Sequence, residues 1–174
     1  MGCAACRDGD IMKRHWRTIE LVKPSANQCT VRVLHWNVLA QQLTENSFPK
    51  VSEEHLSWDH RSKLFEEEFN KRTGSGGYFW DVICIQECDK HVELFRNHPV
   101  FAGAIMPKDG RATNGIFYNT AKFTCKTEIS ERYRDRETRE DASQGFMSMV
   151  LEEKATGADF LIYTTHLKAK PGFE

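Results

Sequence analysis

Apolar positions along this chain fall into short runs, and their spacing predicts alternating strands and helices. Residues 31–38 read Val-Arg-Val-Leu-His-Trp-Asn-Val and place Val31, Val33 and His35 on one face of a period-two pattern, which predicts a strand. Residues 46–52, with Pro49, read as loop. Ser57 is placed to cap a helix running to about Arg72, with Trp58, Phe65 and Phe69 on its apolar side and Glu66, Glu67 and Glu68 on its solvated face. Gly74-Ser75-Gly76-Gly77 ends that helix. Residues 81–87 hold four consecutive apolar side chains, Val82 to Ile85, as a strand buried on both faces does. A short amphipathic helix over 90–96 follows. The second half turns to strands over 100–105, 115–119, 123–129, 145–152 and 159–165. Residues 131–141 carry four Arg against five acids and read as a solvated loop.

Strand, helix, strand and then several strands imply an α/β layered domain. The 174 residues suffice for one domain at ~150 residues each. Residues 1–29 read as an N-terminal tail broken at Pro24-Ser25, and 30–174 as the domain. The longest apolar runs fall far short of the ~20 residues that cross a bilayer. With 24 basic and 25 acidic side chains the net charge is −1, so any phosphate-binding surface must be local rather than global. Neither Cys3-x-x-Cys6 nor Cys84-x-x-x-Cys88 has a partner pair at zinc spacing, and no strand precedes Cys3 as a thioredoxin-type site requires. Free thiols in a cytoplasmic protein are the expectation. Met1-Gly2-Cys3-Ala4-Ala5-Cys6 exposes Gly2 once Met1 is removed, as N-myristoylation requires, although Cys6 stands where the usual pattern has Ser or Thr. Acylation at Gly2 and Cys3, with membrane association, stands beside an unmodified frayed terminus as the two readings of this segment.

Three polar groups close apolar strands: Asn37, Glu87 and His166. Side chains at equivalent strand ends converge where a sheet presents its ligands. A carboxylate and a carboxamide oxygen suit a hard cation such as Mg2+, and a histidine beside them can donate to a phosphoryl oxygen.

Taken together, Arg32-Val33-Leu34-His35-Trp36-Asn37-Val38-Leu39-Ala40-Gln41, Trp58, Arg61, Asp81-Val82-Ile83-Cys84-Ile85-Gln86-Glu87 and Thr165-His166-Leu167-Lys168-Ala169-Lys170 resemble the endonuclease/exonuclease/phosphatase superfamily. The likeness covers residues 31–174 and lies in its deadenylase-type branch, on the nocturnin side of it. The resemblance implies a four-layer α/β sandwich and Mg2+-dependent (or Mn2+-dependent) attack of water on a phosphate ester. By the same resemblance Glu87 is the metal ligand and Asn37 orients it or a water. His166 holds the scissile phosphate, and Lys108, Lys168 and Lys170 meet the substrate's phosphates. The implied reaction removes the 2′-phosphate of NADP+ and NADPH. A poly(A) 3′-exoribonuclease acting on an RNA 3′ end, and a non-catalytic binding product, are the alternatives.

The chain also departs from that pattern. Thr113-Asn114-Gly115-Ile116 stands where the family has Asp-Gly-Cys-Ala, and no Gly-Asp-x-Asn, the general-base motif, occurs in the chain. The expectation is therefore a domain whose C-terminal part is missing, inactive by itself, with one apolar sheet face lacking its partner sheet.

Overall fold

The computed structural model describes residues 29–44, 48–106, 114–134 and 141–167. Its elements run β1 (Val33–Asn37), a 3-10 turn (Gln41–Leu43), α1 (Glu53–Leu56), α2 (Trp58–Phe69), β2 (Val82–Gln86) and α3 (His91–Phe95), followed by β3 (Phe101–Ile105), β4 (Gly115–Asn119), β5 (Phe123–Arg134), β6 (Asp141–Glu153) and β7 (Asp159–Thr165). They build a four-stranded sheet in the order β1-β2-β4-β3 and a three-stranded sheet in the order β5-β6-β7.

β1 and β2 are parallel, with Val33 opposite Val82 and Asn37 opposite Gln86. That pairing brings the C-terminal ends of both strands to one edge. β2 is buried along its whole length, because α2 and α3 cover one face of the sheet and β5–β6–β7 the other. On the helix side, Leu34, Phe65, Phe69, Ile83, Ile85, Phe95 and Phe117 pack together, with the Phe95 and Phe117 rings stacked at 3.7 Å. Between the sheets lie Val82, Cys84, Ile116, Phe123, Met147, Met149 and Leu151. At the sheet end away from the candidate site, buried Asp81 accepts from Arg32 N (2.8 Å) and Lys122 Nζ (2.9 Å).

Ser57 caps α2 as the sequence predicts, its side chain accepting from His60 N. Three readings need correction. Glu68 is not on the solvated face: it is buried and its Oε1 accepts from Trp80 Nε1 (3.2 Å), because the turn after α2 folds Trp80 back under the helix. (Residues 53–56, for which the sequence pattern predicts no element, form a helical turn of their own before Ser57.) The segment 131–141 is not a loop throughout, since the β5–β6 ladder continues through Glu131–Phe146 and Arg132–Gly145 to Arg134–Asp141. A Cβ at Gly145 would lie 2.2 Å from Glu131 O, so the two strands close up there only around a glycine. Finally, the inner face of the four-stranded sheet does not lack a partner sheet, because β5–β6–β7 covers it. The exposed apolar groups lie instead on the outer face of that second sheet, at Ile129, Leu161 (71% exposed) and Tyr163 (51% exposed). Helices, sheet and sheet are thus three of the four layers expected. Among the described residues no helix is long and apolar enough to cross a membrane.

Candidate active site

Asn37 ends β1, Glu87 follows β2 and His166 follows β7. The parallel β1–β2 pairing and the packing of β7 across the sheets bring all three side chains together. Asn37 Nδ2 donates to Glu87 Oε1 at 2.8 Å, and His166 Nε2 lies 3.1 Å from the same oxygen. Glu87 is 16% exposed and His166 40%, so a shielded carboxylate sits below an imidazole that opens to solvent. A carboxylate only accepts, so an N–H at His166 Nε2 is within reach to donate to it.

Two features fix Asn37. Its Oδ1 accepts from Leu39 N at 2.9 Å, which turns the Nδ2 side toward Glu87. Leu39 in turn adopts φ 57, and its carbonyl and that of Val38 both accept from the Arg61 guanidinium on α2. Arg61 also donates to Gln41 Oε1 at 2.8 Å. Burial pushes the Arg61 pKa down, and the nearby Asp89 carboxylate offsets this in part. With its oxygen engaged by the backbone, Asn37 acts on the carboxylate as a hydrogen-bond donor. Of the two roles open to it in the sequence, the geometry favours orienting Glu87 over ligating a cation.

The donor set fits a magnesium-type ion. Oε1 of Glu87 accepts from Asn37 and faces His166, while Oε2 has no hydrogen bond among the described residues and is the hard oxygen that remains. No group of three or more His, Cys, Asp or Glu suited to a metal occurs among the described residues. A single carboxylate suits an ion that keeps most of its waters, as Mg2+ does, better than zinc, which takes three or four protein ligands.

The structure thus brings together Asn37, Glu87 and His166. Lys108, Lys168 and Lys170, expected at the substrate phosphates, lie outside the described residues, as do Gly2 and Cys3. Asn114, in the segment where the family's Asp is either absent or shifted to this residue, is buried, and its Nδ2 donates to Gly145 O at 3.0 Å, tying the start of β4 to β6. Sequence reasoning missed the polar layer under the site. Gln86 Nε2 donates to Thr164 Oγ1 at 2.8 Å and meets His35 Nε2 at 2.9 Å. The available signal was a glutamine at the end of an otherwise apolar buried strand.

No protein-family model matches the chain. Among curated proteins, Drosophila melanogaster nocturnin is 31% identical over 160 residues, covering 82% of this chain and 23% of its own length. The CCR4-Not complex 3′-5′-exoribonuclease subunit Ccr4 of Phaeosphaeria nodorum is 24% identical over 194 residues, covering 92% of this chain and 31% of its own. Among solved structures, the human nocturnin catalytic domain with bound sulfate anion superposes with a TM-score of 0.64 at 26% identity, over 83% of this chain and 52% of that one. The chain spans 23–39% of the length of the curated nocturnins it matches.

Proposed function

We propose that this chain, which belongs to the endonuclease/exonuclease/phosphatase superfamily, is the metal-anchoring and phosphate-holding part of a nocturnin-type hydrolase acting on the 2′-phosphate of NADP+ and NADPH. The observation that carries this reading is the single oxygen, Glu87 Oε1, on which an amide and an imidazole from two other strands converge. In this reading Glu87 holds a Mg2+ ion, which supplies positive charge for the phosphoryl oxygens. Asn37 keeps the carboxylate turned toward that ion. His166 passes its Nε2–H from Glu87 to a phosphoryl oxygen as the substrate enters, so charge developing there meets a donor already in place. Lys108, Lys168 and Lys170, as flexible point charges, suit a small substrate carrying several phosphates.

No Gly-Asp-x-Asn occurs among the 174 residues, so the proposal gives this polypeptide the metal and the phosphate grip but no general base. General-base catalysis is worth about 10²–10⁴-fold, and turnover of NADPH by this polypeptide alone is expected to be negligible. Binding is therefore the better test. Calorimetry with Mg2+ present should show NADP+ binding about tenfold more tightly than NAD+, which corresponds to one phosphate contact of ~1.4 kcal/mol. Glu87→Gln should abolish the Mg2+ dependence. Equal affinity for NADP+ and NAD+ overturns the reading.

The likeness to the Ccr4 exoribonuclease subunit supports a second reading, hydrolysis at an RNA 3′ end. A short poly(A) oligomer in the same assay, binding where NADP+ does not, would replace the first reading with it.

A further inference from the structure

We infer that Gln86 is a positioning residue: its buried amide, bridging β2 to Thr164 of β7, sets the separation at which the Glu87 carboxylate meets the His166 imidazole. The inference rests on the proposed function for what that pair does, but not for the pair itself.

The argument starts from burial. Gln86 is 2% exposed and closes a strand whose other members, Val82 to Ile85, are all apolar. An aliphatic side chain there would pack without the cost of desolvating an amide, so the position is informative. The amide spends both its hydrogens across strands, one on Thr164 Oγ1 at 2.8 Å and one toward His35 Nε2 at 2.9 Å. The second contact requires a lone pair on His35 Nε2 and therefore the tautomer protonated at Nδ1. Thr164 is itself 2% exposed, so the bridge lies out of reach of competing water.

Its placement then matters. His35 lies two residues before Asn37 on β1, Gln86 one before Glu87, and Thr164 two before His166. The same three strands therefore meet twice, once in the buried triad and once in the site above it. Most other contacts between the two sheets are apolar, from Val82, Cys84 and Ile116 to Met147, Met149 and Leu151, and the further polar links lie elsewhere, from Asn114 to Gly145 O and from Lys122 to Asp81. Apolar contacts are non-directional and let packed sheets slide by fractions of an ångström. A hydrogen bond fixes distance and angle, and this one ties the sheet bearing Glu87 to the strand that leads into His166. From the other side, Thr165 Oγ1 donates to Gly145 O at 2.9 Å, so the strand is held on both of its faces just before the imidazole.

The test uses the 174-residue protein, labelled with 15N in its imidazoles and free of metal. In the wild type the His166 Nε2–H should show a hydrogen-bonded, slowly exchanging proton. Thr164→Val keeps the shape and removes the acceptor, and should lose that signature, while Thr164→Ser should retain it. Gln86→Met cuts the bridge from the other end if the valine variant fails to fold. Met149→Ala loosens the same sheet interface without touching a polar link. It should lower Tm at least as far while leaving the His166 signal in place. With Mg2+ added, Thr164→Val should weaken NADP+ binding about tenfold. An unchanged His166 signal in folded Thr164→Val or Gln86→Met overturns the inference, as does its equal loss in Met149→Ala. If the wild type shows the signal but ignores NADP+, the proposed function fails and the bridge stands. If the wild type binds NADP+ and the variants alter neither readout, the bridge fails and the function stands.

Discussion

Leu39 and Glu87, which follow the neighbouring parallel strands β1 and β2, both sit in the left-handed backbone region, at φ 57 and φ 56. Neither is a glycine, and a side chain there costs about 1–2 kcal/mol. At Leu39 this bend sends the amide N–H back to Asn37 Oδ1, and at Glu87 it accompanies the turn of the carboxylate toward Asn37 and His166. The strain sits where the site is made.

Glu87→Gly should therefore be more stable to urea than Glu87→Ala, by about 1 kcal/mol. Both variants lack the carboxylate, so the difference reports the backbone alone. An alanine variant as stable as the glycine one would show that position 87 carries no strain.

Arg61→Lys tests the clamp on the β1 loop. The guanidinium reaches the carbonyls of Val38 and Leu39 and the Gln41 amide together, which a single ammonium cannot match in geometry. A loss of about 2–3 kcal/mol in urea unfolding is expected, of the size seen for charged hydrogen bonds in buried places. Amide exchange at Leu39 should accelerate more than at residues of β4. Uniform acceleration would mean that Arg61 supports the fold at large and not this loop.

His98 makes stability depend on pH. Its Nδ1 accepts from Val100 N (3.3 Å) and Phe101 N (3.0 Å), so the ring must be neutral there. Burial, helped by the Arg72 charge, holds its pKa below the ordinary histidine value. The unfolded chain then takes up a proton before the folded one does. This contribution is complete above about pH 6.5 and is lost as the pH falls toward and through the folded-state pKa. His98→Asn should lower stability at neutral pH yet flatten its fall between about pH 7.5 and 5.5, read as urea midpoints. A fall as steep as that of the wild type would clear His98 of the effect.

Two of the cysteines should be inert. Burial pushes the Cys84 and Cys88 thiols up to about 12, with Asp89 adding to the rise at Cys88. At pH 8 the thiolate fraction is then roughly one in ten thousand, and thiolate is the reactive form. Peptide mapping after iodoacetamide treatment should find both unmodified in the native protein and both modified in urea. Native labelling at Cys84 would contradict the burial of β2.

Much of this was legible in the residues. The four apolar positions before Gln86 announce β2, Ser57 announces its helix, and the strand ends point to Asn37, Glu87 and His166. What the chain concealed follows from tertiary context. Glu131, Arg132 and Arg134 look like loop because their charges suit water, but a hairpin ladder needs only their backbones. Glu68 looks solvated until Trp80 folds beneath it. Gln86 reads as the last residue of a strand, and only the neighbouring sheet shows what its amide is for.

The parallel pairing of β1 with β2 also fixes when, during synthesis, this site can exist. β5 and β6 are neighbours in sequence and can zip locally as a hairpin, whereas β1 must wait for a strand some fifty residues away. Asn37 leaves the ribosome early and finds Glu87 only after the whole α2 region has appeared. His166 comes last of the three, so no imidazole can reach Glu87 until β7 has been added. A growing polypeptide of this kind cannot bring these three groups together until almost all of the described fold is in place.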